Sequence, residues 1–462
     1  MPGKITLPLG LMDSGKLVTD PYPNLSRLVV GPSGAWKTTT TVMTSNQALL
    51  AYSDVAVKTV DHKNGEVYAQ FRPVAKKYGR KFGCIDDMGE YGFDNEDRLE
   101  VNALGAVISA AKHNSGTLTF TIKNTTLNIV PEVNDGGRNW HFRENPRQII
   151  HLGILGGLEF LGDRLTPGVL YETMADPVTW RLMRENAIHE GSPALKARAQ
   201  LSLDMEDREP ESYFKHMQAA LTPLQIYEPG SVLNKAGANA TITHEELCRD
   251  GWMVFDVLPQ LYAKQVGVHA ALHQQSFMDA QMSGRGGRLV NVIDEMCNSP
   301  QKYSVDLVTV QRSYQASSIY ITQTLLDIAE QYGKRELAVL MDNCAVIQYL
   351  AISPDDAEKI SKLMGEEITV SQSLNINPKE LGISGNFSTG KQPVMTPTEL
   401  VNLDPAYQIL FIKGFGWIKC RKLRQNQLAP TCHDLGPNPQ ENNQVLPPDP
   451  KVTLPTSIGG IQ

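Results

Sequence analysis

Residues 28–39 read LVVGPSGAWKTT, and this stretch decides the fold. Its apolar start predicts a short buried strand, which a glycine-rich turn ends. From Gly31 to Thr38 the turn matches the phosphate-binding pattern G-x-x-x-x-G-K-[ST] except at one position, where Trp36 replaces the second glycine. Residues 38–52 then have the composition of a helix. Strand, loop and helix in this order predict the phosphate-binding unit of an α/β nucleotide-binding domain.

The loop residues suit the chemistry of a bound triphosphate. Successive backbone N–H groups and a helix N-terminus surround phosphate oxygens, and the side chain of Lys37 would reach the β and γ phosphates. The hydroxyl of Thr38 would hold Mg²⁺. The predicted binding residues for ATP are Gly31, Pro32, Ser33, Gly34, Ala35, Trp36, Lys37, Thr38 and Thr39. The alternative is that residues 31–34 form only a turn between a strand and a helix.

Trp36 is the one departure from the loop pattern. The glycine that it replaces lets the backbone approach phosphate in a conformation that a β-carbon disfavours. Holding a tryptophan in that conformation costs on the order of 1–3 kcal/mol. We therefore predict a phosphate-loop ATPase whose nucleotide affinity is weakened by Trp36, with impaired hydrolysis as an open alternative.

A second apolar strand ends in two acidic residues. Residues 289–295 read LVNVIDE, so Asp294 and Glu295 follow that strand directly. Beside the phosphate loop, Asp294 would bind Mg²⁺ and Glu295 would polarise the attacking water. Gln323 ends the next apolar run, where its amide would sense the γ-phosphate. Alternatively these side chains are simply exposed at strand ends, because each of these signals is weak when taken alone.

Other apolar runs alternate with helical stretches, which predicts an α/β fold on a parallel sheet. The further predicted strands are residues 55–60, 81–85, 252–258, 318–323 and 345–352. Residues 117–130 contain β-branched runs of alternating polarity and predict an added antiparallel hairpin. Residues 408–422 predict a terminal β-hairpin around a Gly-Phe-Gly turn. The patterns divide the chain into a nucleotide-binding domain in two parts (1–138 and 243–424), an all-α inserted domain (139–242) and a Pro/Asn/Gln-rich tail expected to be disordered (425–462).

Composition limits the classes of function. The net charge of −7 argues against a broad basic surface for nucleic acid, although not against a local one. Local candidates for phosphate contacts are Lys76, Lys77, Arg80, Lys81, Lys419, Arg421, Lys422 and Arg424. The six cysteines form no C-x-x-C pair, which favours a reducing compartment. The longest apolar run falls short of the roughly 20 residues that cross a bilayer, so we expect no transmembrane segment in this chain.

In this order the motifs resemble those of the type IV secretion coupling proteins, which are related to chromosome-segregation DNA translocases. The resemblance covers roughly residues 9–422. Besides the loop and the acidic strand, similar segments are residues 57–68, 292–296, 321–323, 331–333, 355–365 and 395–400. The ordered set is far more specific than any one of its members.

The resemblance implies a RecA-like motor with an inserted all-α domain, assembled as a homo-hexamer around a channel. Its implied partners are single-stranded DNA with an attached relaxase, protein effectors, and inner-membrane components of the secretion system. It implies a bacterial cytoplasmic location, peripheral at the inner membrane. It also implies catalytic roles for Glu295 and Gln323, and for Arg312, which would act on the ATP site of a neighbouring subunit.

Two other functions stay open on the sequence alone. One is a double-stranded DNA translocase, which a C-terminal winged-helix DNA reader would favour. The other is a recruiting adaptor in which Trp36 has disabled hydrolysis.

Overall fold

The structure is a computed structural model that describes residues 5–113, 115–132, 140–298, 302–377 and 382–454. Its strands are β1 (Pro8–Leu11), β2 (Leu17–Thr19), β3 (Arg27–Val30), β4 (Val55–Asp61), β5 (Phe82–Ile85), β6 (Met253–Val257), β7 (Arg288–Ile293), β8 (Ala316–Thr322), β9 (Val346–Tyr349), β10 (Glu366–Asn377), β11 (Gly382–Pro393), β12 (Tyr407–Ile412), β13 (Gly416–Arg421), β14 (Leu428–Ala429) and β15 (Val452–Thr453).

The helices alternate with these strands in both halves of the chain. They are α1 (Met43–Leu49), α2 (Glu66–Lys77), α3 (Gly105–His113), α4 (Leu118–Ile129), α5 (Trp140–Leu161), α6 (Pro167–Ala175), α7 (Pro177–Glu190), α8 (Pro193–Arg208), α9 (Pro210–Leu221), α10 (His244–Arg249), α11 (Gly267–Met282), α12 (Lys302–Asp306), α13 (Leu325–Gln331), α14 (Lys334–Asn343), α15 (Pro354–Met364) and α16 (Pro397–Val401). A π-helical turn, Thr38–Val42, leads directly into α1.

One sheet of eleven strands organises the molecule, in the order β2-β1-β13-β12-β9-β3-β8-β7-β4-β6-β5. The seven strands from β9 to β5 are parallel, and β12 and β13 form an antiparallel hairpin at Tyr407–Ile412 and Gly416–Arg421. The parallel strands are almost wholly buried and apolar because helices cover both faces of the sheet. Strands β3, β8, β7 and β4 are neighbours, so their carboxyl ends meet at one edge.

A helical layer packs beside the sheet around its own apolar core. Helices α5 to α9 supply most of this core, and residues of α3, α4 and α11 join it. The helices that form this layer therefore begin at Gly105, before the predicted boundary at residue 139. The division of the chain into domains stays a prediction.

The predicted hairpin at residues 117–130 is wrong, because Leu118–Ile129 is a helix. Its buried side chains, Ile122, Thr125, Thr126 and Ile129, recur with helical spacing and face the neighbouring helices. The Thr125 hydroxyl donates to the Thr121 carbonyl oxygen at 3.0 Å, which satisfies a polar side chain inside the helix. Packing on this face outweighs the strand preference of the β-branched residues.

The disorder expected for residues 425–462 is also wrong for the part that the structure describes, up to Leu454. Leu428, Leu435 and Leu454 are buried in the core that α1 and α2 share with the sheet. Polar residues of the segment make buried hydrogen bonds: Gln425 Nε2 lies 2.7 Å from Gln70 Oε1. The segment is therefore ordered despite its polar composition, because it buries a few leucines. Residues 455–462 lie outside the described residues.

We predict that Leu428→Ala lowers the free energy of unfolding by about 2–5 kcal/mol, because Leu428 is fully buried against α1 and α2. Urea unfolding followed by circular dichroism would measure the change. The matched control is Val445→Ala, an exposed residue of the same segment, which should change the free energy by less than about 0.5 kcal/mol. An equally small change for Leu428→Ala would show that the segment does not pack in solution.

Candidate functional site

The loop after β3 wraps around the side chain of Lys37. Lys37 Nζ donates to the carbonyl oxygens of Gly31 at 2.8 Å and Pro32 at 3.3 Å. The backbone N–H of Gly31 donates to the Thr322 carbonyl oxygen at 3.1 Å, which ties the loop to the end of β8. Gly34 has a φ of +80° with open space around its Cα, as a phosphate-facing turn requires. The lysine is thus held, almost fully buried, inside its own loop.

Trp36 has a φ of +67°, in the left-handed region that favours glycine. The residue is 39% exposed, with Lys422 Nζ 5.2 Å and Arg424 Cζ 5.0 Å from the centroid of its ring. These cation–π contacts are worth roughly 0.5–1 kcal/mol each at an exposed site. They offset part of the backbone strain of about 1–3 kcal/mol that a non-glycine residue incurs in such a conformation.

The acidic strand end meets this loop. Asp294 and Glu295 follow β7 directly, and Thr38 Oγ1 lies 3.4 Å from Asp294 Oδ2. Glu295 Oε1 pairs with Lys37 Nζ at 3.1 Å, and its second carboxylate oxygen accepts from Gln323 Nε2 at 3.2 Å. Residues 256 positions apart in the sequence are therefore in contact, because β3, β8 and β7 are neighbouring parallel strands.

Six residues of the cleft were not predicted from the sequence, and two of them, Lys63 and Glu66, contact the predicted ones directly. Lys63 Nζ lies 3.1 Å from Asp294 Oδ2 and 3.3 Å from Glu295 Oε1. Glu66 opens α2, and its Oε1 accepts from the Thr38 hydroxyl at 2.9 Å. Both come from the chain that follows β4, the strand beside β7 in the sheet. The sequence signal that could have identified them is the polar stretch immediately after the strand predicted at residues 55–60.

The site is a narrow polar cleft of about 230 Å³. Its walls include Ser33, Gly34, Trp36, Lys37, Thr38, Thr39, Lys63, Glu66, Gln260, Glu295, Asn298, Gln323, Asn438 and Glu441. Three other predicted binding residues, Gly31, Pro32 and Ala35, belong to the loop but do not line the cleft. Asn438 and Glu441 belong to the C-terminal segment that was expected to be disordered.

Opposite charges hold the cleft together. Burial opposes the charged form of Lys63, but Asp294, Glu295 and Glu66 outweigh it and raise the pKa of the ammonium group. Burial alone would raise the pKa of Glu295, yet Lys63 and Lys37 lower it below its ordinary value. Burial raises the pKa of Glu66 despite the attraction of Lys63. In this state the carboxylate of Glu295 is paired with two cations and is a weak base.

The oxygen atoms around Thr38 suit a magnesium ion. Mg²⁺ prefers carboxylate and hydroxyl oxygens, and here Asp294, Glu66 and the Thr38 hydroxyl converge. Asp294 Oδ1 is buried and has no hydrogen-bond partner in the part of the chain that the structure describes. The donors present therefore fit Mg²⁺, and the ammonium group of Lys63 lies where a cation would be attracted.

We predict that Lys63→Met makes the protein depend on Mg²⁺ for stability. Without Lys63, three carboxylates face each other with Lys37 as the remaining cation of the cleft wall. The loss should be about 2 kcal/mol, below the cost of breaking a fully buried pair, because the Lys63 side chain is 20% exposed. Added MgCl₂ should restore more of the melting temperature in this variant than it adds to the wild type.

The control for Lys63→Met is Lys359→Met, at an exposed position on α15. It should leave both the melting temperature and its response to Mg²⁺ unchanged. The same response to Mg²⁺ in Lys63→Met and in the wild type would contradict the predicted competition between the ammonium group and the ion.

Arg312 does not reach this cleft within one chain. It is exposed on the 3-10 turn Gln311–Tyr314, which precedes β8, whereas Gln323 follows the other end of that strand. Seven residues of strand separate the two ends by roughly 20 Å. A contact between Arg312 and a phosphate would require another subunit, as the sequence resemblance implies.

Most of the candidate basic residues have partners within the chain. Lys77 pairs with Asp434 at 2.6 Å, Lys81 with Asp250 at 3.4 Å, and Arg421 with Asp13 at 3.0 Å. Lys76 pairs with Glu96, and Arg80 is buried with its guanidinium group on the Val55 carbonyl oxygen. A local basic patch at residues 76–81 is therefore largely neutralised.

No helix among the described residues is both long enough and apolar enough to cross a membrane.

Residues 303–447 match the family model described as type IV secretory system conjugative DNA transfer. The resemblance to the type IV secretion coupling proteins is confirmed. The matched residues include β8 with Gln323, the β12–β13 hairpin, and the C-terminal segment as far as residue 447. A comparison with curated protein sequences finds no match.

Several solved structures share the architecture. The unbound monoclinic form of the bacterial conjugative coupling protein TrwBdeltaN70 aligns with a TM-score of 0.66 and 15% identity, over 92% of this chain and 90% of that one. Plasmid coupling protein TrwB in complex with ADP and Mg²⁺ aligns with a TM-score of 0.64 and 14% identity, over 90% and 89%. VirB4 of Thermoanaerobacter pseudethanolicus aligns with a TM-score of 0.56 and 17% identity, over 94% and 99%. The predicted RecA-like α/β fold, with inserted helices and a terminal β-hairpin, is therefore confirmed.

Proposed function

We propose that this chain is an ATP-driven coupling protein that recruits single-stranded DNA with its relaxase, or protein effectors, and moves them into a type IV secretion channel. One observation carries the proposal: the phosphate-loop residues contact the acids at the end of β7. Thr38 Oγ1 lies 3.4 Å from Asp294 Oδ2, and Lys37 Nζ lies 3.1 Å from Glu295 Oε1. The confirmed resemblance supplies the biological context. Six subunits around a channel at the inner membrane, with other secretion components as partners, belong to the same proposal.

ATP with Mg²⁺ is the proposed ligand of the cleft. A TrwB structure contains ADP and Mg²⁺, and the oxygen atoms around Thr38 suit a Mg²⁺ ion here. Thr38 and Asp294 would hold the ion, which neutralises charge on the β and γ oxygens when bound. The loop N–H groups and Lys37 would bind the triphosphate.

The geometry also implies how ATP binding prepares the site. Glu295 is paired with Lys37 and Lys63, which hold its pKa below its ordinary value. A triphosphate attracts the same two ammonium groups, so its arrival would loosen these pairs and make the carboxylate a stronger base. Glu295 would then take a proton from the attacking water as the water oxygen bonds to the γ-phosphorus and the bond to the β–γ bridging oxygen breaks.

Two further residues would complete the reaction. Gln323 already donates to Glu295 and would orient the same water. Arg312 of a neighbouring subunit would stabilise the charge that develops on the γ-phosphate. An exposed arginine, away from the cleft of its own chain, is compatible with this role.

The direct test is ATP hydrolysis by the full chain with single-stranded DNA, with duplex of the same length, and without DNA. We expect stimulation by single strands that exceeds stimulation by duplex. Preferential stimulation by duplex would favour the double-stranded DNA translocase. No stimulation by either, together with no loss of activity on Glu295→Gln, would contradict the motor assignment.

The left-handed backbone of Trp36 favours a second candidate, the recruiting adaptor with impaired hydrolysis. We predict that Trp36→Gly raises ATP affinity about tenfold, or about 1.4 kcal/mol, because it removes the β-carbon that limits the approach of the loop backbone to phosphate. Titration with a fluorescent ATP analogue would measure it, with turnover followed in parallel.

The matched control for Trp36→Gly is Trp36→Ala. It removes the ring but keeps a β-carbon in the left-handed region, so its affinity should stay near that of the wild type or below. Strong and equal turnover in the wild type and in Trp36→Gly would exclude the adaptor.

A further inference from the structure

A second cluster of charged and polar side chains lies away from the nucleotide cleft. Asp87, His269 and His273 are all buried, and one potential ligand atom from each lies within 4.8 Å of the others. His269 Nε2 is 3.0 Å and His273 Nε2 is 3.4 Å from Asp87 Oδ2. None of the three contributes to the proposed ATP reaction.

The fold explains why these residues meet. Asp87 follows the end of β5, and β6 is the neighbouring parallel strand. Helix α11 comes soon after β6 and carries His269 and His273 four positions apart, so both side chains lie on one face of the helix. The cluster thus joins the outer edge of the large sheet to a helix that also packs against the helical layer.

Each imidazole is oriented by a second contact on its other nitrogen. His269 Nδ1 lies 3.1 Å from the Tyr227 hydroxyl, and His273 Nδ1 lies 3.0 Å from His244 Nε2. The carboxylate oxygen that does not face the histidines, Asp87 Oδ1, pairs with the guanidinium group of Arg98 at 3.3 Å. Metal-binding histidines have this arrangement, in which the non-ligating nitrogen is held and the ligating nitrogen faces the ion.

Among the described residues, hydrogen bonds do not satisfy every ligand atom of the cluster. His273 Nε2 is buried and has no hydrogen-bond partner among the residues that the structure describes, although it points toward Asp87 Oδ2. A buried polar atom in that state destabilises the fold. One cation among the three ligand atoms would satisfy all of them at once.

We propose that Asp87, His269 and His273 bind one Zn²⁺ ion. Two imidazole nitrogens and one carboxylate oxygen are ordinary zinc ligands, and tetrahedral zinc with bonds of about 2.0–2.1 Å separates its ligand atoms by about 3.3 Å. The two nitrogen–oxygen separations, 3.0 and 3.4 Å, are close to this value, and all three ligand atoms lie within 4.8 Å of one another. The fourth position would be filled by water.

A cavity lies one side chain away from the cluster, and a bound ion would have a structural role. A cavity of about 800 Å³ between α3, α4, α10 and α11 is lined by His244, whose ring contacts His273. Bound zinc would fasten the end of β5 to α11, and through Tyr227 to the helical layer. Because a ligand that binds only the folded state stabilises it, zinc should raise the melting temperature of the whole chain.

The test is metal analysis of the full, untagged chain, followed by chelation and addition of ZnSO₄ in excess MgCl₂. We expect one zinc ion per chain that survives dialysis, a fall in melting temperature on chelation, and recovery with one equivalent of zinc. Cobalt in place of zinc should give the visible absorption of a four-coordinate site with nitrogen ligands.

The variants His269→Gln and His273→Gln should each lose the bound zinc and the response of the melting temperature to it. The matched control is His151→Gln, a buried histidine of α5 outside the cluster, which should keep both. If a histidine variant fails to fold, the melting temperature of the wild type after chelation and after zinc addition still tests the proposal. Zinc well below one equivalent with no recovery, or full zinc retained in folded His269→Gln and His273→Gln, would overturn the proposal.

Discussion

Glu295→Gln should lower the rate of ATP hydrolysis by about 10²–10⁴-fold, the usual contribution of a general base. The amide keeps the size of the side chain and its contact with Gln323, but it cannot accept the proton of the attacking water. Nucleotide binding should persist or become tighter, because the substitution removes a negative charge next to Lys37 and Lys63. Turnover therefore falls while the affinity for ATP stays the same or rises.

The matched control is Glu330→Gln, at an exposed position on α13. Turnover would be followed by phosphate release at saturating ATP, and affinity by titration with a fluorescent analogue. A loss of affinity equal to the loss of turnover would mean that Glu295 supports the shape of the cleft and is not the base.

Lys37→Ala should weaken ATP binding by about a hundredfold. Hydrogen bonds to a charged group are worth about 1.5–3 kcal/mol each, and Lys37 has the buried position from which it can reach the triphosphate. The substitution also removes the Glu295 pair and the donors to Gly31 and Pro32, so a modest fall in melting temperature should accompany the loss. Calorimetric titration of ATP would measure the effect.

Lys81→Ala, at an exposed lysine outside the cleft, is the control for Lys37→Ala and should bind ATP as the wild type does. Near-normal ATP affinity in folded Lys37→Ala would place the nucleotide elsewhere on the molecule. That result would also separate a failure of the nucleotide site from a failure of the proposed zinc site, which lies on other residues.

The sequence allowed the sheet and part of the cleft to be predicted for a simple physical reason. Buried parallel strands are continuous apolar runs, and the polar residues that follow them gather at one edge of the sheet. This rule identified Asp294, Glu295 and Gln323, and the glycine-rich pattern identified the loop with Lys37. The same rule applies to residues 61–66, but their charged side chains are also what an exposed turn would contain.

Other features depended on contacts that the local pattern does not show. Helix α4 reads as two strands because threonines alternate with apolar residues, and only the neighbouring helices make its helical face the buried one. The C-terminal segment reads as disordered because its few leucines are far apart in the sequence. They become a core only when α1 and α2 supply the surface that they cover.

The C-terminal segment also changes how the phosphate cleft should be regarded. Asn438 and Glu441 form part of its wall, more than 400 residues after the glycine-rich loop. Trimming the polar end of the chain, a common step before crystallisation, would open one side of the pocket and remove a carboxylate that faces it. Kinetic constants from a shortened protein would then describe a different enzyme from the intact one.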